Sequence, residues 1–107
     1  MNFEPGKCYS IESYSWVLYP DQRTAQIIRD VNPNKYVNDK IGHYRKEFNS
    51  GILLKNSNFM VLELIDKVFV HVIASNGIGW LYVDQNKIDQ FSKEDRFYVS
   101  DCFRRIK

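Results

Sequence analysis

The sequence predicts an all-β domain: a small barrel of about five to six strongly bent antiparallel strands. A long, partly structured insertion follows the first strand, and a short helical turn precedes the last. Three observations carry this. Phe59–Val83 reads as three strands joined by tight turns at Asp66-Lys67 and Asn76-Gly77. Asn-Gly accepts positive φ at both central positions of a type I′ turn and, between apolar runs, is the strongest local signal for a hairpin. Polar and apolar residues alternate at both ends of the chain, in Lys7–Glu12 and Arg96–Ile106. Aromatic residues make up 15% of the chain, a share that suits pleated, half-buried surfaces.

The totals fit one domain over residues 1–107, with 22–50 as its insertion. A chain of 107 residues, 44% hydrophobic, can bury a single core without cross-links. Its net charge of +2 is too small to argue for nucleic acid by itself. The basic excess is local: residues 23–47 carry six basic against three acidic residues, and 101–107 carry three against one. Cys8 and Cys102 lie far apart with no Cys-x-x-Cys spacing, so free thiols are expected. No basic segment followed by an apolar one opens the chain, and no apolar run approaches the roughly 18 residues of a membrane span. The expectation is a soluble cytoplasmic protein that has no membrane among its partners.

In chain order, Pro5-Gly6 is a turn. Lys7–Glu12 is a strand with Tyr9 and Ile11 on one face. The phase then slips so that Tyr14, Trp16 and Leu18 become the apolar positions, which implies a bulge or sharp bend. Tyr19-Pro20-Asp21 ends this run. Thr24–Val31 fits either a strand or one to two turns of helix. Asn32-Pro33-Asn34 is a turn, and Asp39–Phe48 places Ile41, Tyr44 and Phe48 on one helical face, weakened by about 1 kcal/mol at Gly42. Asn49-Ser50-Gly51 and Lys55–Asn58 are turns around Ile52–Leu54. After the central meander, Asp84 is placed to cap a helical turn that carries Ile88 and Phe91, and Ser92–Asp95 has the spacing of a capping box. Arg96–Ile106 returns to alternation, with Phe97, Val99 and Phe103 on one face and Tyr98, Cys102 and Ile106 on the other.

Ile52–Leu64 followed by Val68–Val83 resembles an SH3-like barrel of the bacterial type. The run Ser75-Asn76-Gly77-Ile78-Gly79-Trp80-Leu81 is similar to the distal hairpin of such domains, where Gly-Trp and an aliphatic residue follow the turn. The resemblance implies that Asp84–Phe91 is the short 3₁₀ turn before the last strand, and that Lys7–Leu18 is the first strand entering a long loop. It also places Leu81 inside the barrel, and Trp16 and Tyr19 in part of the ligand-binding loop. A groove for Pro-rich peptides is not implied: Val68 or Phe69 stands where such a groove needs Trp, and the long loop is basic.

A two-residue loop at Asn76-Gly77 pairs Ser75 with Ile78, Ile73 with Trp80 and His71 with Tyr82. With Leu81 inside, the core face is Val70, Val72, Ala74, Gly79, Leu81 and Val83. The outer face is then Phe69, His71, Ile73, Ile78, Trp80 and Tyr82, far too apolar for an ordinary solvated sheet. Covering it would gain on the order of 5–10 kcal/mol at about 25 cal/mol per Å² before entropic costs. The cover expected is either the segment Ile27–Phe48 or a partner.

Chemistry finds little support. Neither His43 nor His71 has ligands at metal spacing, no Gly-x-Ser-x-Gly elbow is present, and Gly77-Ile78-Gly79 leads into a strand and not a helix. No enzyme activity and no cofactor are expected. The reading is a non-catalytic interaction or assembly module that binds a protein partner or itself, as a homodimer, through an aromatic strand face. Trp16, Tyr19, His71, Ile73, Trp80 and Tyr82 are its candidate binding residues. The alternative is a small β-barrel binding single-stranded nucleic acid, for which Tyr36, Tyr44-Arg45-Lys46, Phe48 and Phe103-Arg104-Arg105 interleave aromatic and basic side chains.

Overall fold

The chain enters its sheet through a turn of type II character. The Lys7 N–H donates to Glu4 O at 3.2 Å, and Gly6 takes φ 82°, the positive value that the third turn position requires. The computed structural model describes residues 2–31, 51–75, 77–85, 88–90 and 96–106, and within these no side chains for 28–31 and 88–90. Strands β1 (Cys8–Ile11) and β2 (Trp16–Leu18) are followed by helix α1 (Gln22–Val31) and strand β3 (Gly51–Leu53). The meander is β4 (Asn58–Ile65), β5 (Phe69–Ala74) and β6 (Gly77–Tyr82). Then come β7 (Ile88–Gln90), β8 (Arg96–Tyr98), a 3₁₀ helix (Val99–Cys102) and β9 (Phe103–Ile106).

The result is a small all-β domain of antiparallel sheets. Its main sheet has the order β6-β5-β4-β1-β9, and β2-β3 and β7-β8 form two-stranded ribbons. A reciprocal backbone pair ties the β2–β3 ribbon to β6: the Tyr19 N–H donates to Trp80 O at 2.7 Å and the Trp80 N–H to Tyr19 O at 2.8 Å. The close approach needs Gly79, because a Cβ there would stand 2.7 Å from both Leu18 Cγ and Tyr19 O. No ladder among the described residues closes the main sheet on itself, so the expected barrel is open.

Local sequence explains the bends. Between β1 and β2 the chain turns at Ser13-Tyr14, with Tyr14 at φ 65°, where the phase of alternation slips. What reads as one bent strand is thus two strands in different sheets. In β4 a bulge at Leu62 separates the pairs Val61–Val72 and Glu63–His71. The extra residue switches the core-facing parity from Phe59 and Val61 to Leu64, and bends the strand. The β4–β5 turn has Asp66 and Lys67 at φ 55° and 62°, the type I′ geometry, with the Val68 N–H donating to Ile65 O.

Three expectations move. The β5–β6 register pairs Ala74 with Gly77, Ile73 with Ile78 and His71 with Trp80. Each β5 residue therefore meets a partner two positions earlier than the sequence suggests. A shift of two keeps the parity, so the two faces hold the residues expected. Asn76 itself lies outside the described residues. The helical turn before the last strand exists, but at Val99–Cys102 and not at Asp84–Phe91, part of which forms β7 against β8. Val99 and Cys102, three apart, are both buried by this turn, which interrupts the alternation expected across Arg96–Ile106. Within the insertion, Gln22–Val31 is a helix. The turn at Asn32–Asn34, the helical face of Asp39–Phe48, Phe91 and the capping-box spacing at Ser92–Asp95 lie outside the described residues.

The core is built on aromatic rings. Phe103 lies 5.0 Å from Trp16, 5.3 Å from Phe3 and 6.1 Å from Phe59, and Phe3 meets Tyr9 edge-on at 4.8 Å. These contacts join the first residues to β1, β2, β4 and β9, with Val61, Val70, Val72 and Leu81 completing the interior. The buried Tyr9 keeps its hydroxyl satisfied, accepting from the Glu4 N–H at 2.8 Å. Cys102 is buried and Cys8 exposed, and both are free thiols.

Two predictions follow from this frame. Gly79→Ala forces Leu18 or the Tyr19 carbonyl away from β6 and costs about 1–3 kcal/mol, read from urea unfolding. Asp21 caps α1, accepting from the Thr24 N–H at 2.7 Å, and the Thr24 backbone and side chain hold its carboxyl below the ordinary carboxylate range. A lowered folded pKa stabilises above the ordinary value and is lost as pH falls through the folded one. Asp21→Ala should cost about 1 kcal/mol at neutral pH, Asp21→Asn far less, and the Ala deficit should shrink below about pH 4.

Candidate protein-interaction surface

The meander fixes the outer face through three cross-strand rows. Ile65, Phe69 and Tyr82 form the row beside the β4–β5 turn; Glu63, His71 and Trp80 form the middle row; Met60, Ile73 and Ile78 form the row at the other end. Burial is graded along them. Phe69 is 0% and Tyr82 5% exposed, His71 and Trp80 are half-buried, and Ile73 and Ile78 are 42% and 58% exposed. Helix α1 lies against β5 and β6, and its Ala25 is fully buried. The face expected to need a cover is thus closed at one end and open at the other.

The six candidate residues separate accordingly. Trp16 is 1% exposed and packs on Phe103, its indole N–H donating to Ser13 O at 3.3 Å. Tyr19 is also buried, and its backbone carries the pair with Trp80. Tyr82 is buried against Phe69, ring centroids 5.6 Å apart. In this conformation these three offer little side-chain surface. His71, Ile73 and Trp80 do, and two of them form a unit: the His71 and Trp80 rings stack with centroids 4.5 Å apart and planes 4° from parallel. The cross-strand neighbour of His71 on β4 is Glu63, an exposed carboxylate at the rim of this stack.

The open row extends beyond the meander. Met60 also pairs with Cys8 on β1, and Cys8 with Ile106 on β9. Ile106, Cys8, Met60, Ile73 and Ile78 therefore form one stripe across all five strands. Met60 is half-buried and the other four are exposed. A shallow groove of about 700 Å³ runs beside it, with Asn56, Ser57, Asn58 and Ser75 as its polar border. An apolar centre with a polar rim is the anatomy of a protein-binding patch. Sequence reasoning singled out Ile73 but not Ile106, Cys8, Met60 or Ile78 as site residues. Their alignment is a matter of register between strands up to about ninety residues apart, which no local pattern encodes.

The aromatic and basic residues weighed for nucleic acid are not assembled by the described part of the fold. Phe103 is a core residue, Arg104 is ion-paired with Glu12, and Arg105 Nη1 lies 3.4 Å from Glu4 Oε2. Tyr36, His43, Tyr44–Lys46 and Phe48 lie outside the described residues. No helix among the described residues is long and apolar enough to cross a membrane. No protein-family model, curated protein or solved structure matches the chain.

The difference between the two tryptophans is measurable. In a Trp80→Phe variant the remaining emission, from buried Trp16, should be blue-shifted and resist acrylamide. In Trp16→Phe the remaining emission, from half-buried Trp80, should quench more readily than that of Trp16.

Proposed function

We propose that the chain is a non-catalytic assembly module that binds a protein, a second copy of itself being the first partner to test, through the outer face of its main sheet. The observation that carries this reading is the stripe Ile106–Cys8–Met60–Ile73–Ile78, flanked by the stacked His71–Trp80 pair. An exposed apolar row spanning a whole sheet is the usual mark of a partner surface. Aromatic side chains beside it supply the rigid anchors on which binding energy concentrates. Four features support an SH3-like architecture for the module. These are the Gly79-Trp80-Leu81 run after a tight hairpin, Leu81 in the core, the bulged and bent β4, and a 3₁₀ turn leading directly into the last strand.

Light scattering at micromolar concentration should give a mass above the 12.7 kDa of one chain. Ile78→Lys and Ile73→Lys should each weaken the association about tenfold or more, while changing stability by no more than about 0.5 kcal/mol, because both side chains are already exposed. A monomeric mass at every concentration, with both variants indistinguishable from the parent chain, would remove self-association from the reading.

A further inference from the structure

The exposed stripe carries two sulfur atoms, those of Cys8 and Met60, on adjacent strands. The β1–β4 register pairs these residues directly. Backbone hydrogen bonds flank the pair: the Val61 N–H donates to Lys7 O at 3.0 Å, and the Ile11 N–H to Ser57 O at 3.0 Å. In an antiparallel ladder the bonded pairs alternate, so Lys7–Val61, Tyr9–Phe59 and Ile11–Ser57 are bonded and Cys8–Met60 is not. A pair without hydrogen bonds brings its Cα atoms to about 4.5 Å and its side chains closer than the alternating pairs do. Both residues also line the shallow groove beside the stripe. Cys8 is a free, exposed thiol, and Met60 is half-buried. Ile106 pairs with Cys8 on its other side and Ile73 with Met60, so alkyl groups bracket the two sulfurs.

This donor set is chemically selective. A thiolate and a thioether are soft ligands, and together they select Cu(I) over the harder divalent ions. Zinc asks for four donors drawn from thiolates, imidazoles and carboxylates. Among the described residues neither an imidazole nor a carboxylate lines the groove, and nowhere do three His, Cys, Asp or Glu side chains gather around a metal position. We propose that Cys8 and Met60 form a binding site for a soft monovalent metal ion, Cu(I) being the cation that fits. Cys8 releases its thiol proton to solvent and bonds the ion through Sγ, and Met60 Sδ supplies the second bond. The site is complete within one chain, so it does not depend on self-association.

The test is anaerobic titration of the reduced full chain with Cu(I), supplied as its acetonitrile complex, against a chromophoric Cu(I) chelator. A parallel titration of Ile78→Lys keeps the stripe open should two copies of the parent chain cover it. One Cu(I) per chain is expected, with a shift in one of the two methionine methyl resonances, that of Met60. Met60→Leu conserves volume and should weaken binding about tenfold or more, whereas Cys8→Ser should abolish it. Zn(II) at the same concentration should leave the Met60 methyl unmoved. The proposal is overturned if Met60→Leu binds Cu(I) as tightly as the parent chain, the outcome for an isolated thiol. A Met60 methyl that Cu(I) does not move would overturn it as well, and so would full stoichiometry in Cys8→Ser, which would make buried Cys102 the ligand.

Discussion

The contact on which the rest of this structure depends is the reciprocal backbone pair between Tyr19 and Trp80, made possible by the missing side chain of Gly79. Among the described residues it is the isolated β-bridge that joins the five-stranded sheet to the β2–β3 ribbon. Because Leu18 and the Tyr19 carbonyl lie directly against β6, β2 is buried throughout, from Trp16 to Leu18. The aromatic cluster around Phe103 closes the other side of the same interior, bringing Phe3, Tyr9 and Trp16 together from the start of the chain. The direction the chain takes after Tyr19 also sets where α1 begins, and so which strands it lies against.

This arrangement makes the main sheet asymmetric along its strands. Phe69 and Tyr82 are buried at one end of the outer face, while Ile73 and Ile78 are exposed at the other. The His71–Trp80 stack sits at the boundary, half-buried, its planes nearly parallel. A large aromatic pair at that boundary gives the open end a stiff border, since few rotamers are left to either ring once they stack. The exposed part of the outer face is therefore its far half, extended sideways across β4, β1 and β9.

Much of the fold was legible because the signals were local. The turn at Asp66-Lys67 was found at its place, and the faces of β5 and β6 were assigned correctly although the pairing itself was two positions off. That error was harmless because period-two alternation survives an even shift. The bulge at Leu62 was invisible, because Phe59–Ile65 is nearly all apolar and a change of parity within it leaves no polar trace. The 3₁₀ turn was hidden for a related reason: Val99 and Cys102 also satisfy a strand-like reading of their neighbours. Helix α1 was ambiguous although Gln22–Val31 segregates polar and apolar residues at the helical period. The adjacent Ile27-Ile28 and Val31 also suit a strand, and its cap Asp21, after a proline, reads equally well as a turn residue. The candidate surface was legible at Ile73 and Trp80, where one hairpin sets the neighbours. It was not legible at Cys8 and Ile106, which reach the stripe through β1 and β9.

The sequence of β9 limits what can pair with the edge of the sheet. Among the described residues this strand is an edge of the main sheet, and its two central residues are Arg104 and Arg105, ion-paired with Glu12 and Glu4. An unprotected edge accepts another strand and passes on a new edge, so growth by that route has no natural end. Ion-paired, solvated side chains on both faces of β9 make addition of a second strand less favourable than a bare apolar edge would. A face, by contrast, is used up once it is covered. Charge at the edge thus works against strand-by-strand growth of the sheet, while its apolar surface lies on the face.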